Sequence, residues 1–235
     1  MAGSERSGPT SRPRIVAVVP ARNEEATIGP TVRALVGMPG LSDVVVIADG
    51  CTDRTAQEAR KAGARVLVAP DARGKGRAVE SALDRIPGSD VWLFVDGDTG
   101  ETAREAEALL GPVLDGRADL AVGALPAVGD GGFGLVKRFA RWGIGRLTGF
   151  WPREPLSGQR AVRARALDGC RPLAPGFGLE TAMTIDALRL GYGIVEVPVR
   201  MRHRPTGRSV AGFVHRGRQG IDVLLVLAVR AVGAR

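Results

Sequence analysis

The stretch VWLFVDGDTG, Val91–Gly100, closes a run of apolar residues with two carboxylates one residue apart, Asp96 and Asp98. Residues i and i+2 of an extended chain project the same way, so both side chains can reach one point beyond the strand. Two oxygen ligands facing one point suit a hard divalent cation, Mg2+ or Mn2+, whose other positions go to phosphate oxygens and water. The alternative task, capping a helix that starts near Thr102, falls more naturally to Thr99.

Other candidate groups lie at comparable places. In VVVIADGCTDRTA, Thr52 or Asp53 is placed to cap the following helix, whereas Asp49, ahead of Gly50, has no such task. A carboxylate at Asp49 suits a nucleobase N–H or a sugar hydroxyl. Glu24 and Glu25 fit the first turn of a helix, yet Asn23 and Glu24 also follow a strand end. Gly74-Lys75-Gly76 opens a helix, where glycines allow close backbone approach to an anion and the helix N-terminus favours negative charge. Its spacing is not that of a Walker A loop. Nor does GxGxxG follow the first strand, which argues against a dinucleotide oxidoreductase.

These groups need a scaffold, and the chain supplies one in alternating short β-branched runs and longer amphipathic ones. Strands are expected at 14–20, 43–49, 64–69, 90–96 and 118–125. Helices are expected from near Glu24 and over 52–63, 75–86 and 102–114. Strands apolar throughout and separated by helices imply a mostly parallel sheet covered on both faces, an α/β fold. Ligands of such sheets sit beyond the carboxyl ends of the strands, where Pro20–Glu24, Asp49–Asp53 and Asp96–Asp98 all fall. After Pro126 the rhythm changes. A Gly-rich loop, VGDGGFG, precedes a basic helix at 133–150 interrupted by Gly143 and Gly145. The loop WPREPLSGQRA, a helix at about 179–190, a strand at 193–199 and a long basic C-terminal helix follow. Residues 1–13 read as a flexible tail and 14–235 as a single domain with a boundary between halves near 125.

Composition narrows the function. At 235 residues, 44% hydrophobic and 25% charged, the chain can bury a substantial core. Of 33 Lys and Arg only Lys61, Lys75 and Lys137 are Lys, and the net charge is +8. Arginine suits phosphate, so an anionic ligand, a nucleic acid or an anionic membrane surface is indicated. A nucleic-acid partner is not expected, because aromatics make up 4% and acids gather at the ligand edge. Cys51 and Cys170 form no metal or disulfide pattern, which fits a reduced, cytoplasmic setting. The run Ile221–Val232 is too short to span a membrane, which needs ~20 residues. The longer stretch FVHRGRQGIDVLLVLAVRAV fits a basic amphipathic helix lying peripherally on the inner face of a membrane, and equally a helix packed on the sheet or paired in a homodimer.

In order along the first half, VVPARNEEATIGPTVRAL, VVVIADGCTDRTA, GKGRAVESAL and LFVDGDT resemble segments of the family-2 glycosyltransferases. The resemblance implies a GT-A (Rossmann-like) domain, with a nucleotide-sugar half at 14–125 and an acceptor half at 126–235. It implies Pro20, Ala21, Asn23, Glu24, Asp49, Lys75, Asp96 and Gly97 at a nucleoside-diphosphate sugar, a UDP- or GDP-sugar. Asp96 and Asp98 would hold the metal. In one departure, Ala48-Asp49 stands where many members have two acids, leaving the nucleobase contact to Asp49.

PLSGQRAV and GFGLETAMTIDALRLGYGIVEVPV are similar to acceptor-side segments of the polyprenyl-phosphate sugar synthases and the glucosyl-phosphoglycerate synthases. That similarity implies Ser157, Gly158, Gln159 and Arg160 at a phosphorylated or polyprenyl-phosphate acceptor. Glu180 is then catalytic with Asp98, as general base or as hydrogen-bond anchor. His203 would complete the metal site or meet the diphosphate; read without the resemblance, it is an exposed loop residue. His215 is structural or superficial. The Gln-x-x-Arg-Trp signature of processive synthases is absent, so transfer of a single sugar is expected. Two other classes compete: a sugar nucleotidylyltransferase, whose Gly-rich loop after the first strand this chain replaces by PARNEEAT, and a non-catalytic anion or nucleic-acid binder.

Overall fold

The computed structural model describes residues 12–69, 71, 74–126, 134–202 and 210–233, with the backbone alone at 210–216 and 218. The expected tail at 1–13 falls almost wholly outside these residues. So do His203, the side chain of His215 and most of VGDGGFG.

Seven strands form one sheet: β1 (Ile15–Ala21), β2 (Asp43–Asp49), β3 (Arg65–Ala69), β4 (Val91–Phe94), β5 (Leu120–Ala124), β6 (Arg160–Arg163) and β7 (Ile194–Pro198). Their order is β3-β2-β1-β4-β6-β5-β7. β1 runs parallel to both β2 and β4, with Val18 opposite Val45 on one side and Phe94 on the other. The ends of β1, β2 and β4 therefore emerge on one edge. The chain leaves β1 for β2 on one side and later returns to pair β4 on the other, which makes this edge a topological switch point.

Alternation along the strands divides the core between the two faces. Ile15, Ala17 and Val19 pack with Ile28, Val32 and Leu35 of α1 (Ile28–Val36) and with Ala59 of α2 (Thr55–Lys61). Val16 and Val18 pack on the other face, with Val79 and Leu83 of α3 (Lys75–Leu83) and Leu179 and Met183 further on.

Four differences from the sequence reading have physical causes or consequences. First, α1 begins at Ile28, because Glu24 O accepts the N–H groups of Thr27 and Ile28 in a preceding turn. Second, residues 100–109 form a 3-10 helix that passes into α4 (Leu110–Leu114). Third, α5 (Gly134–Thr148) runs on through Gly143 and Gly145. Those glycines admit neighbours: a Cβ would lie 2.3 Å from Leu227 at the first and 2.5 Å from the Trp151 ring at the second.

Fourth, β6 was expected to be loop. Its four residues include two arginines and carry no apolar run, and the strand exists because it pairs antiparallel with β4 and β5 on either side. It leads into α6 (Ala164–Gly169), and α7 (Leu179–Arg189) follows. The C-terminal helix α8 (Val210–Ala231) packs Val223 and Leu227 against Ala140 and Ile144 of α5 and Ile185 of α7. Among the described residues no helix is long and apolar enough to cross a membrane.

Candidate functional site

The loops after β1 and β2 are tied together by side chains. Asn23 takes a positive φ of 55°, and its Oδ1 accepts the Thr52 N–H at 2.9 Å. The Glu24 N–H donates to Thr55 Oγ1 at 2.7 Å, and the Glu25 N–H to Asp53 Oδ2 at 3.1 Å. Asp53 Oδ1 accepts the Thr55 N–H and hydroxyl, the capping task read from sequence. Its slight burial acts the other way, but the Thr55 bonds and the Glu25 N–H hold the Asp53 carboxyl below its ordinary value. Asp49, expected to cap nothing, is buried, and its Oδ2 accepts the N–H of Gly74, the residue that opens α3.

The turn after β4 sits close against β1. A Cβ on Gly97 would lie 3.0 Å from that of Ala21, so the smallest residue is needed here. No sequence motif marks Thr31, which is buried in α1. Its hydroxyl donates to Gly97 O at 3.0 Å and accepts the Gly100 N–H at 2.8 Å, fixing the Asp-Gly-Asp turn.

At the head of that turn charged groups converge from four elements. Lys75 Nζ, from the first turn of α3, lies 2.7 Å from Asp96 Oδ1 and 2.6 Å from Glu180 Oε1 at the start of α7. Gln159, fully buried just before β6, donates from Nε2 to Asp96 Oδ2 at 2.8 Å, and its Oε1 accepts the Asp96 N–H at 3.3 Å. The unexpected strand β6 is what delivers it, since Arg160 pairs with Phe94 across β4. Gly158 leaves the room: a Cβ there would lie 2.4 Å from Asp96 Oδ2 and 2.6 Å from Lys75 Nζ. Ser157, buried beside them, accepts the Gln159 N–H on Oγ. Asp98 is half-buried two residues beyond Asp96.

Arg160 lies beneath this group, 2% exposed. Its Nε donates to Ser157 O at 2.8 Å and its Nη1 to Thr184 Oγ1 at 3.0 Å, while Nη2 is buried with no hydrogen-bond partner among the described residues. Burial pushes its pKa down to about 10, against the pull of Glu180, Cys170 and Asp96. Burial alone would also lower the pKa of Lys75. Asp96 and then Glu180 outweigh it, and the ammonium is held above its ordinary value. Two cations and two carboxylates thus balance.

The residues expected at the site therefore fall into two groups. Lys75, Asp96, Gly158, Gln159 and Glu180 meet directly, with Arg160 below. Asn23, Glu24 and Asp49 frame the neighbouring strand ends beside Pro20 and Ala21. Of the residues expected on the acceptor, Gln159 hydrogen-bonds the first carboxylate of the Asp-Gly-Asp turn, and Gly158 lies where an added Cβ would meet that carboxylate. The donors fit a hard cation, being carboxylate oxygens, and the missing Cβ of Gly158 lets Asp96 and Lys75 pack against its backbone. No group of three His, Cys, Asp or Glu forms a metal cluster among the described residues, and His203 lies outside them.

Comparison with known proteins bears on the same residues. The family model described as glycosyl transferase family 2 matches residues 16–167. The chain is 30% identical over 198 residues to glycosyltransferase AglJ of Haloferax volcanii, across 81% of this chain and 63% of that protein. It therefore spans less than two thirds of that relative's length. It is 34% identical over 239 residues to glucosyl-3-phosphoglycerate synthase of Mycolicibacterium smegmatis, across 88% of this chain and 75% of that protein. Among solved structures, the Mycobacterium tuberculosis glucosyl-3-phosphoglycerate synthase in complex with Mn2+, UDP-glucose and phosphoglyceric acid superposes with a TM-score of 0.78. That match has 27% identity and covers 95% of this chain and 81% of that one.

Proposed function

We propose, since the chain belongs to glycosyl transferase family 2, that it moves one sugar from a nucleoside-diphosphate sugar to a small phosphorylated acceptor. The observation that carries this reading is the Asp96–Lys75–Glu180 cluster, closed by Gln159, at the switch point of a sheet that superposes on a sugar-transferring relative. The donor class favoured by that relative is UDP-glucose, and the acceptor class is a phosphoglycerate.

In this reading the loops tied by Asn23, Glu24 and Asp53 form the wall for the nucleoside, with Asp49 behind them. Asp96 and Asp98 would hold Mg2+ or Mn2+, which when bound neutralises charge on the departing diphosphate. Lys75 adds a fixed ammonium at the same place, and a preorganised charge of this kind is worth most where water is excluded. Gln159 holds the Asp96 carboxylate in one orientation. Glu180 gives Oε1 to Lys75, which leaves Oε2 for an acceptor hydroxyl and favours its role as anchor. Arg160 brings a second buried positive charge behind the acceptor side.

A second reading keeps the reaction and changes the acceptor to a polyprenyl phosphate, with the enzyme cytoplasmic and peripheral on the membrane. It is favoured by the exposed Leu135, Trp142 and Trp151 beside the exposed Arg138 and Arg141, on or next to α5. The outward apolar residues of α8, Ile221, Leu224, Leu225 and Val229, serve either that contact or a homodimer. The deciding experiment measures UDP release from UDP-glucose with Mn2+ in the presence of 3-phosphoglycerate or of polyprenyl phosphate in vesicles. Release stimulated by neither acceptor, together with no Mn2+-dependent thermal shift by UDP, would sink the proposal.

A further inference from the structure

Behind the charged cluster lies the turn Gly176–Gly178, and α8 is seated on it. Asp222 Oδ2 accepts the Phe177 N–H at 2.9 Å. A Cβ on Gly176 would lie 2.1 Å from that same oxygen, and one on Gly178 would lie 2.4 Å from Val226. Gly176 also has a φ of +61°, a left-handed conformation that glycine takes without strain. Further along α8, Arg230 donates to both oxygens of Asp186, at 3.1 Å from Nε and 2.6 Å from Nη2, and both side chains are buried. Asp186 and Glu180 share α7, so α8 grips the turn before that helix and a point well along it.

The same segment supports α3. A Cβ on Gly76 would lie 1.9 Å from Ala174 O, and one on Gly74 would lie 3.7 Å from the Cα of Gly176. Lys75 stands between those two glycines, and Glu180 follows Gly178 by two residues. Both partners of the 2.6 Å ion pair are therefore set by residues 174–178, and α8 holds that segment from outside. A buried ion pair such as Arg230–Asp186 contributes little net stability against an apolar replacement, and register is its best-attested use.

We infer that Asp222 and Arg230 are positioning residues: through the Gly176–Gly178 turn and α7, the C-terminal helix holds Glu180 against Lys75 and Asp96. The inference rests on the transfer reaction proposed at this site. Displacements near 1 Å in such sites lower turnover by about 10²-fold, so small slackening is measurable.

Asp222→Ala removes the acceptor for Phe177; Asp222→Asn keeps an oxygen there. The expected result in UDP release is a fall in kcat of about 10-fold for Asp222→Ala, with the UDP-glucose KM and the calorimetric affinity for Mn2+ and UDP within about twofold. Asp222→Asn should restore most of kcat at an equal melting temperature. Arg230→Lys, which retains one of the two bonds to Asp186, supplies the same split if Asp222→Ala does not fold. A substrate-free readout is the ammonium NMR signal of Lys75, one of three lysines, assigned by its loss in Lys75→Met. It should be sharp in the unmodified protein and broadened by exchange in Asp222→Ala.

Wild-type kcat and an unbroadened signal in Asp222→Ala would overturn the inference. So would a loss of kcat that tracks melting temperature and is not rescued by Asn. If the unmodified protein turns over no sugar nucleotide while the ammonium signal behaves as stated, the clamp stands and the reaction assignment falls.

Discussion

Replacing Lys75 with methionine tests the central cluster without depending on substrate. The ammonium sits 2.7 Å from Asp96 and 2.6 Å from Glu180, and the three side chains are 21%, 25% and 7% exposed. Its removal leaves two carboxylate oxygens within about 5 Å of each other, a repulsion of roughly 3 kcal/mol at an effective dielectric of 20. Breaking a buried pair costs about 3–5 kcal/mol, and the partial exposure of Lys75 and Asp96 argues for the lower end. For a chain of this size, a loss of about 3 kcal/mol lowers Tm by roughly 6–12 °C. Removing one carboxylate should relieve the strain, so the double variant Lys75→Met, Glu180→Gln should be more stable than Lys75→Met alone. A double-mutant cycle by urea denaturation reads the coupling, expected at about 1–3 kcal/mol. The pH dependence follows from the raised pKa of Lys75. Stability from a raised group is fully present below its unfolded value, about 10.4 for lysine, and is lost only as pH rises through the folded value. The deficit should therefore be constant from pH 6 to pH 9, to within error. A Lys75→Met protein as stable as the parent, or a cycle with no coupling, would refute the assignment of this cluster.

Three further outcomes are expected. Asp98→Ala should fold normally but lose the Mn2+-dependent thermal shift by UDP and at least ~10²-fold in turnover, and chelation should reproduce both losses in the unmodified protein; an undiminished shift would remove Asp98 from the metal. Gly158→Ala places a methyl 2.4 Å from Asp96 Oδ2 and 2.6 Å from Lys75 Nζ, so turnover should fall by about 10-fold or more, and unchanged kinetics would show that the packing of these side chains on Gly158 does not matter to the reaction. Asp119 is held below its ordinary value: its burial acts the other way, but the Arg165 guanidinium, the Gly193 N–H and Arg163 outweigh it. Its contribution is thus present above the unfolded carboxylate range and lost as pH falls through the folded value, so Asp119→Asn should flatten the acid limb of a Tm–pH profile while costing most near neutral pH.

The parallel half was legible because its strands are continuous apolar runs with glycine and acidic punctuation. Residues 43–49, for instance, are a strand both by pattern and by pairing. The two acids after β4 were visible as a violation of that pattern, charges at the tip of a buried strand. What the pattern hid was tertiary. Arg160–Arg163 is a strand only because β4 and β5 stand on either side, and nothing in RAVR announces it. The bond from Gln159 to Asp96 and the need for glycine at 158 could therefore not be read from the sequence. The glycines of Gly176-Phe177-Gly178 were noticed as a motif, but their cause, the carboxylate of Asp222 and the side chain of Val226, lies over forty residues away.

The composition of the cluster is itself an argument about what it is built to receive. Lys75 and Arg160 offset Asp96 and Glu180, and Asp98, half-buried beside them, adds one negative charge, in a place where an uncompensated ion would be strongly unfavourable. A divalent cation offsets two of the negative charges that a diphosphate brings, so the metal-bound guest enters with little net charge. A free nucleotide without metal would not, because it would bring uncompensated negative charge beside Asp96 and Asp98. Affinity for UDP should therefore depend on Mn2+ far more steeply than the +8 net charge of the whole chain would suggest. Calorimetric titration of UDP with and without Mn2+, repeated at high salt, separates the two. A site governed by the overall basic charge would bind UDP without metal and release it as salt rises; one governed by this cluster would need the metal at every ionic strength.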